Sequence, residues 1–438
     1  MLRRDISKAL FATAAASAVV VQRAEAQSCT APCYPQTAAE IAAINPSTGE
    51  PGIVPVNYSY PPGNVYRYGT NTSPGTTDMT YALQASLNVM GISGGRVIWP
   101  GDVYLTSAPL LAENLRGLTI QADGGQFGFV GTRITAKHSG KAILSLVGSL
   151  FCTIGPVVLE GSATTTPKTG LLLGRSSASS AGNHNFHGTN VEGNYSVAAV
   201  YNIASEDNNW FGVTIEPNAA PLAALYMSGS DTQGIGGLTG SSMEANSFFG
   251  GQIGSSDTGA SSTAVYLDTS AATGHIHFYG TYLVKQNGNS FVTIRLGAVD
   301  GASVLFPIGF HDCFGETGGA TGPLYGVYIV NALGSQLYMC GLTLRNVRFQ
   351  GATSYHLFCT GGGGVNGVYL IGPEISTPYC PTALPGSSFG RIDGGRLSLL
   401  AENSVTIATL NGSFLTGNLS SITITSSSGN VTTNVSVA

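Results

Sequence analysis

Two stretches decide the fold: residues 184–192, "HNFHGTNVE", and residues 208–216, "NNWFGVTIE". Each runs aromatic, then aromatic or His, then Gly, two variable residues, a β-branched residue and Glu, and the two begin 24 residues apart. The aromatic-x-Gly phrase returns at Phe248-Phe249-Gly250, Phe278-Tyr279-Gly280 and Phe349-Gln350-Gly351, with a weaker copy at Phe310-His311. A second phrase, small-aliphatic-Tyr, alternates with it at Ala199-Val200-Tyr201, Ala224-Leu225-Tyr226, Ala264-Val265-Tyr266, Gly326-Val327-Tyr328 and Gly367-Val368-Tyr369. Two strand-like phrases that alternate with variable insertions mark a solenoid. At least two short strands per unit exclude the helical repeats and leave an all-β parallel β-helix, its coils stacked at about 4.8 Å.

In such a coil the first aromatic of each phrase and the Tyr set are expected to fill the interior as ladders, and each Gly to mark a turn. Side chains alternate along a strand, so the middle residue faces the other way. His187, Phe211, Phe249 and Tyr279, with His311 as a further member, therefore read as an outward stripe, a carbohydrate-binding surface on which sugar rings would stack.

Composition agrees. Charged residues are 9% of the chain, against roughly 25% in an average globular protein. The 43% hydrophobic content argues for a packed fold rather than disorder. Residues 1–26 read as a signal peptide: Arg3-Arg4 and Lys8, an apolar run from Ala9 to Val21, then Ala24-Glu25-Ala26 as a cleavage site. The paired arginines suggest twin-arginine export from a bacterium. Ile6-Ser7 depart from that pattern and leave an ordinary secretory signal open. Either way the protein is expected to be periplasmic or extracellular. No other apolar run is long enough for a membrane helix, so no membrane association is expected after cleavage. Without residues 1–26 the chain keeps 14 basic and 21 acidic residues, a net charge of −7. That excludes nucleic acid as a natural partner and disfavours a strongly anionic polymer unless a cation bridges the two.

Seven cysteines follow the cleavage site, an odd number. Cys29 and Cys33 are spaced for a local disulfide; the others sit in apolar text that suits buried thiols. No CxxC or HxxxH spacing calls for zinc, and no resident metal or cofactor is expected apart from a calcium option considered below.

Residues 27–62 form an extended lead-in whose "TAAE", Thr37 to Glu40, is a capping box for a short helix. Met79, Leu83, Leu87 and Met90 share one face of a helix beginning after Asp78. A lone amphipathic helix before many strands suits a cap on the open end of a β-helix spanning residues 63–397. Residues 398–438 are Thr- and Ser-rich alternating strands, read as a C-terminal cap or an oligomerisation segment.

The text "RYG" at Arg67, Asp78 before "ALQASLN", and "GGRVIWPGDVYLTS" resembles the N-terminal module of the pectate lyase superfamily, in the form shared by rhamnogalacturonase-like proteins and phage tailspikes. The resemblance implies a right-handed parallel β-helix and a polysaccharide partner. It brings no active site: the Asn-Thr-Asp, Asp-Asp and Gly-His-Gly signatures of polygalacturonases are absent, as are the Trp-x-Asp-His and Arg-x-Pro-x-x-Arg of pectate lyases.

Three constellations carry candidate chemistry. Glu192 and Glu216 close the two opening phrases at matching positions, and on adjacent coils they would form a carboxylate pair; Asp207, between the phrases, could replace either as the acid. "FHDCFGET" gathers His311, Asp312 and Glu316 and could hold calcium, although a polar turn is the plainer reading. His275-Ile276-His277 would place two rings on one face of a strand, but with no acidic or Cys neighbour. The functional expectation is a secreted protein that cleaves polysaccharide by hydrolysis or β-elimination. The alternative is a non-catalytic carbohydrate-binding, adhesin-like or spike-like β-helix.

Overall fold

In a computed structural model the protein is a right-handed parallel β-helix. The structure describes residues 33–437 except 123–130, 256–262, 297–306, 373–387 and shorter stretches. The expected signal peptide, residues 1–26, and Cys29 lie outside the described residues; Cys33 is disulfide-bonded, and Cys152 and Cys313 are buried free thiols. Among the described residues no helix is long and apolar enough to cross a membrane.

Each coil visits three sheets in turn. The coil of the first phrase runs Asn185–His187 in the first sheet, Asn190–Asn194 in the second and Ala198–Ile203 in the third. The next runs Asn209–Phe211, Thr214–Ala219 and Ala223–Ser228, each strand parallel to its predecessor. From the fourth coil on, a left-handed residue directly after the first-sheet strand turns the chain into the second sheet, followed at one rung by a second, Gly251 (φ 77°). The residue directly after the strand is Gly188 (φ 58°), Gly212 (57°), Gly250 (65°), Gly280 (59°), Asp312 (55°) and Asn346 (50°) on successive rungs. Added Cβ atoms at Gly212, Gly250 and Gly280 would meet nothing within 4 Å, so the backbone angle, not space, selects glycine there. Asp and Asn tolerate the same angle. That is why Phe310-His311 is a full member of the repeat despite lacking the Gly.

Inside, Phe186, Trp210, Phe248, Phe278 and Phe310 form the expected ladder, their neighbouring ring centroids 4.0–5.1 Å apart and each at most 1% exposed. Two members of the phrases fall elsewhere. Phe349 sits in the second sheet beside Gly315 and packs on Phe291. Tyr369 sits in the first sheet, paired with Thr343. Three-residue phrases fix strand alternation but not the sheet. The Tyr ladder is also not in the solenoid interior. Val200 and Leu225 face that core, whereas Tyr201 and Tyr226 belong to a second small core on the outside of the third sheet. Residues 231–235 fold over them: Tyr201 donates to Asp231 Oδ1 at 2.8 Å, and Tyr226 bonds Thr232 at 2.6 Å.

Helix α1 (Ala38–Ala42) carries the expected capping box. Helix α2 (Thr80–Gly91) lies over the first coil, with Leu83 and Leu87 buried and Ser86 Oγ accepting from Trp99 Nε1 at 3.1 Å. The lead-in is pinned by a buried ion pair. Arg67 donates to both carboxylate oxygens of Glu40, at 2.5 and 3.0 Å, and to the carbonyls of Tyr34, Pro35 and Tyr60. Beyond residue 388 the coils have two sides. Ser388–Asp393, Val405–Asn411 and Ile422–Ser428 extend the first sheet, and Arg396–Ala401, Phe414–Leu419 and Thr432–Val437 form a three-stranded sheet.

Two outcomes are expected. In urea unfolding Gly280→Ala costs about 1–2 kcal/mol from the left-handed angle, and Gly280→Asn costs less, because Asn346 already holds the equivalent place. Burial pushes the Glu40 carboxyl up, but bonds from Arg67, the Thr37 N–H and Tyr68 outweigh it and hold it below its usual value of 4.5. Its contribution is therefore fully present above pH 4.5 and lost as pH falls through the depressed value. Glu40→Gln leaves Arg67 buried without its counter-ion; it should cost roughly 3–5 kcal/mol at pH 7 and flatten the acid limb of the stability–pH curve.

Candidate functional site

The outward faces of the first and second sheets carry the stripe residues and the Glu192–Glu216 pair; Asp207, His275 and Asp312 lie at corners or turns. On the first sheet His187, Phe211, Phe249, Tyr279 and His311 stack in one column, with centroids 4.9–5.3 Å apart and planes within 12°. Phe211, Phe249 and Tyr279 are 38–39% exposed. The stripe is therefore on the surface, but its rings cover one another's faces and present their edges to solvent. A sugar stacks on a ring face, and only the ends of this column leave one uncovered by a neighbouring ring. The column ends at Arg345, the exposed partner of His311 on the next rung.

On the second sheet Glu192 and Glu216 are direct partners on adjacent rungs, as their matching places in the two phrases predict. Glu160 lies one rung earlier, in register with Glu192. Three carboxylates thus stand in a line at the strand spacing of about 4.8 Å. Arg133 reaches across two of them: it pairs with Glu160 at 3.2 Å and, by a shorter contact, with Glu192. Thr135 donates to Glu160 at 2.7 Å and Asn190 to Glu192 at 3.0 Å. No ion pair reaches Glu216 among the described residues. Burial, then the Glu192 charge, raises its carboxyl above the usual range. The rung beyond Glu216 carries Gly254 in this column, which leaves the carboxyl unshadowed on that side. Sequence reading missed Glu160 and Arg133. "LEG" at Leu159 to Gly161 echoes "VEG" at Val191 to Gly193 and could have revealed the first. Arg133 had no signal, since its role depends on which coil lies beneath.

Asp207 is not part of this group. It is the exposed left-handed residue (φ 54°) at the corner before Asn209–Phe211, and its N–H bonds the Glu244 carbonyl. The whole strand of the first sheet separates it from the turn leading to Glu216. An equivalent corner takes His275 (φ 50°) out of the strand, so His275 and His277 do not share a strand face. His277 stands instead outward beside Tyr279 and near His311, ring centroids 5.7 Å apart. Burial, with the neighbouring imidazoles, holds His277 below the usual histidine range; burial and Arg345 do so for His311. The calcium candidates are turned apart: His311 faces out of the first sheet, Asp312 in the turn accepts from Asn346 at 2.8 Å, and Glu316 in the second sheet accepts from Tyr282. Among the described residues no three His, Cys, Asp or Glu side chains gather as a metal site would require.

No protein-family model and no curated protein matches the chain. Solved structures similar to it include ORF18 of Geobacillus virus E2, at 13% identity over 85% of this chain with TM-score 0.42. The chain spans 61% of the length of that protein. The A-module of the mannuronan C-5 epimerase AlgE6 of Azotobacter vinelandii gives 15% identity over 85% of this chain and 98% of its own, TM-score 0.43. PfbA, a surface adhesin of Streptococcus pneumoniae, gives 10% over 84% and 92%, TM-score 0.42. The assignment of the fold stands on the strand pairing itself rather than on these likenesses.

Truncating the stripe separates its structural share from any binding share. Phe211→Ala, which removes two stacked partners from a half-exposed ring, is expected to cost about 1–3 kcal/mol in urea unfolding. Phe248→Ala, in the buried ladder, should cost about 3–5 kcal/mol.

Proposed function

We propose that the protein is exported and hydrolyses glycosidic bonds in a polysaccharide, with Glu216 as acid/base and Glu192 as nucleophile. The observation that carries this reading is the pairing of Glu192 with Glu216 on adjacent rungs with a counter-ion on Glu192 alone. Retaining glycosidases hold two carboxyl groups at roughly 5–5.5 Å, close to the rung spacing. Glu216, raised by burial and by Glu192, is the member that carries a proton to the leaving oxygen. Glu192, held by Arg133 and Asn190, attacks the anomeric carbon. In the second half-reaction the Glu216 carboxylate takes a proton from water, whose oxygen displaces Glu192 and releases the sugar. Elimination is less well supported, because it needs a cation to neutralise a uronate and Arg133 is already engaged by two carboxylates. With Glu216 protonated, the Glu160 and Glu192 carboxylates against the one Arg133 guanidinium leave the site a net negative charge, which favours a neutral glycan. The stripe of His187, Phe211, Phe249 and Tyr279, on the neighbouring sheet, would border the glycan with ring edges.

A second reading, non-catalytic glycan binding, draws on that same exposed stripe. One experiment separates them: incubation of the mature protein with a panel of neutral and uronic-acid polysaccharides. New reducing ends from a neutral glycan, abolished in both Glu192→Gln and Glu216→Gln at unchanged melting temperature, are the expected result. Ultraviolet absorbance from unsaturated uronates would replace hydrolysis by elimination. Retention on a glycan without cleavage would leave the binding reading, and full activity in both variants would remove the pair from catalysis.

A further inference from the structure

On the outward face of the first sheet the column beside the aromatic stripe runs Ser247, His277, Gly309, Thr343 on successive rungs. His311 stands diagonally from His277, one rung on and one column over. Gly309 lies between them and has no side chain, and the two rings use the room. A Cβ built on Gly309 would fall 2.6 Å from His277 Nδ1 and closer still to His311 Nε2, with no other heavy atom as near. The two nitrogens thus converge on one notch from two coils. His277 Nδ1 is shielded by protein and has no protein hydrogen-bond partner. The built Cβ lies one covalent bond from Cα, where no ion can sit, so these distances establish that both nitrogens face one notch; an ion seated further out over Gly309 would draw each to the 2.0–2.1 Å of a transition-metal bond.

We propose that His277 Nδ1 and His311 Nε2 form a binding site for a divalent transition-metal ion over Gly309. Imidazole donors select the nickel, copper and zinc end of the first row, and copper(II) binds most tightly in that order. With two protein ligands the remaining positions are filled by water, and the hydroxyl-bearing Thr343 is the next residue of the same column. The site is open and its ion exchangeable. It is independent of the carboxylate line on the second sheet.

The test is titration of the full mature chain with copper(II) chloride alone, followed by calorimetry and electron paramagnetic resonance. The expected result is one ion per chain at this site, with hyperfine structure from two nitrogens. His277→Ala and His311→Ala should each weaken binding at least tenfold. Gly309→Ala should do the same while keeping the melting temperature, because its methyl displaces only the mobile tips of two rings; if it lowers the melting temperature, the two His variants decide. Equal binding by wild type and both His variants, or a spectrum with a single nitrogen, would overturn the proposal, as would the absence of binding at micromolar copper.

Discussion

The structure depends on one backbone constraint: the left-handed residue that, from Gly188 to Asn346, turns successive coils from the first sheet into the second. Its N–H bonds the carbonyl of the stripe residue one rung on, from Gly188 to Phe211, Gly212 to Phe249, Gly250 to Tyr279, Gly280 to His311 and Asp312 to Arg345, at 2.8–2.9 Å. The bonds form an unbroken column parallel to the axis. They lock the register at the point where the chain bends, and a slip of one residue would exchange the inner and outer faces of every strand. A second left-handed column, at Asn183, Asp207, Ala245 and His275, enters the first sheet from the other side. The short strands between are thus held at both ends, and a long insertion is taken up at the corner after the third sheet between Ser228 and Asn246.

Register held this firmly makes columns of like residues, and their effect depends on chemistry. For aromatic rings the column is favourable, inside as the Phe186-to-Phe310 ladder and outside as the stripe. For carboxylates it is not. Glu160, Glu192 and Glu216 repel across each rung, and Arg133 offsets only the first two. The third is left with a raised carboxyl. A line of three acids with one cation costs stability that a neutral column would not.

Much of this was legible in the sequence. The buried ladder, the outward side of the stripe, the Glu192–Glu216 register and both helices followed from spacing and alternation. What failed did so for physical reasons. Phe349 and Tyr369 carry the phrases in the wrong sheet, because a short strand reads alike wherever it lies. The Tyr ladder was assigned to the interior because burial on an outer face needs a covering segment, here residues 231–235, that alternation cannot show. Asp207 and His275 looked chemical but occupy corners that demand a left-handed angle. Stripe rings stack on one another because successive rungs set their centroids 4.9–5.3 Å apart, within the range of offset stacking, and that closes the faces a sugar would use. Arg133 and Glu160 stand 59 and 32 residues from Glu192, and only the folded coils bring them beside it.

Register makes Glu192 and Glu216 a coupled pair. Carbon-13 NMR of labelled glutamate carboxyls, followed against pH in the wild type and in Glu192→Gln, tests that coupling most directly. Glu216 is expected to titrate above the ordinary glutamate range in the wild type, and Glu192→Gln to move it part of the way back. Burial alone keeps the remainder of the shift. A Glu216 carboxyl that titrates at its ordinary value, or one indifferent to the charge at position 192, would contradict it.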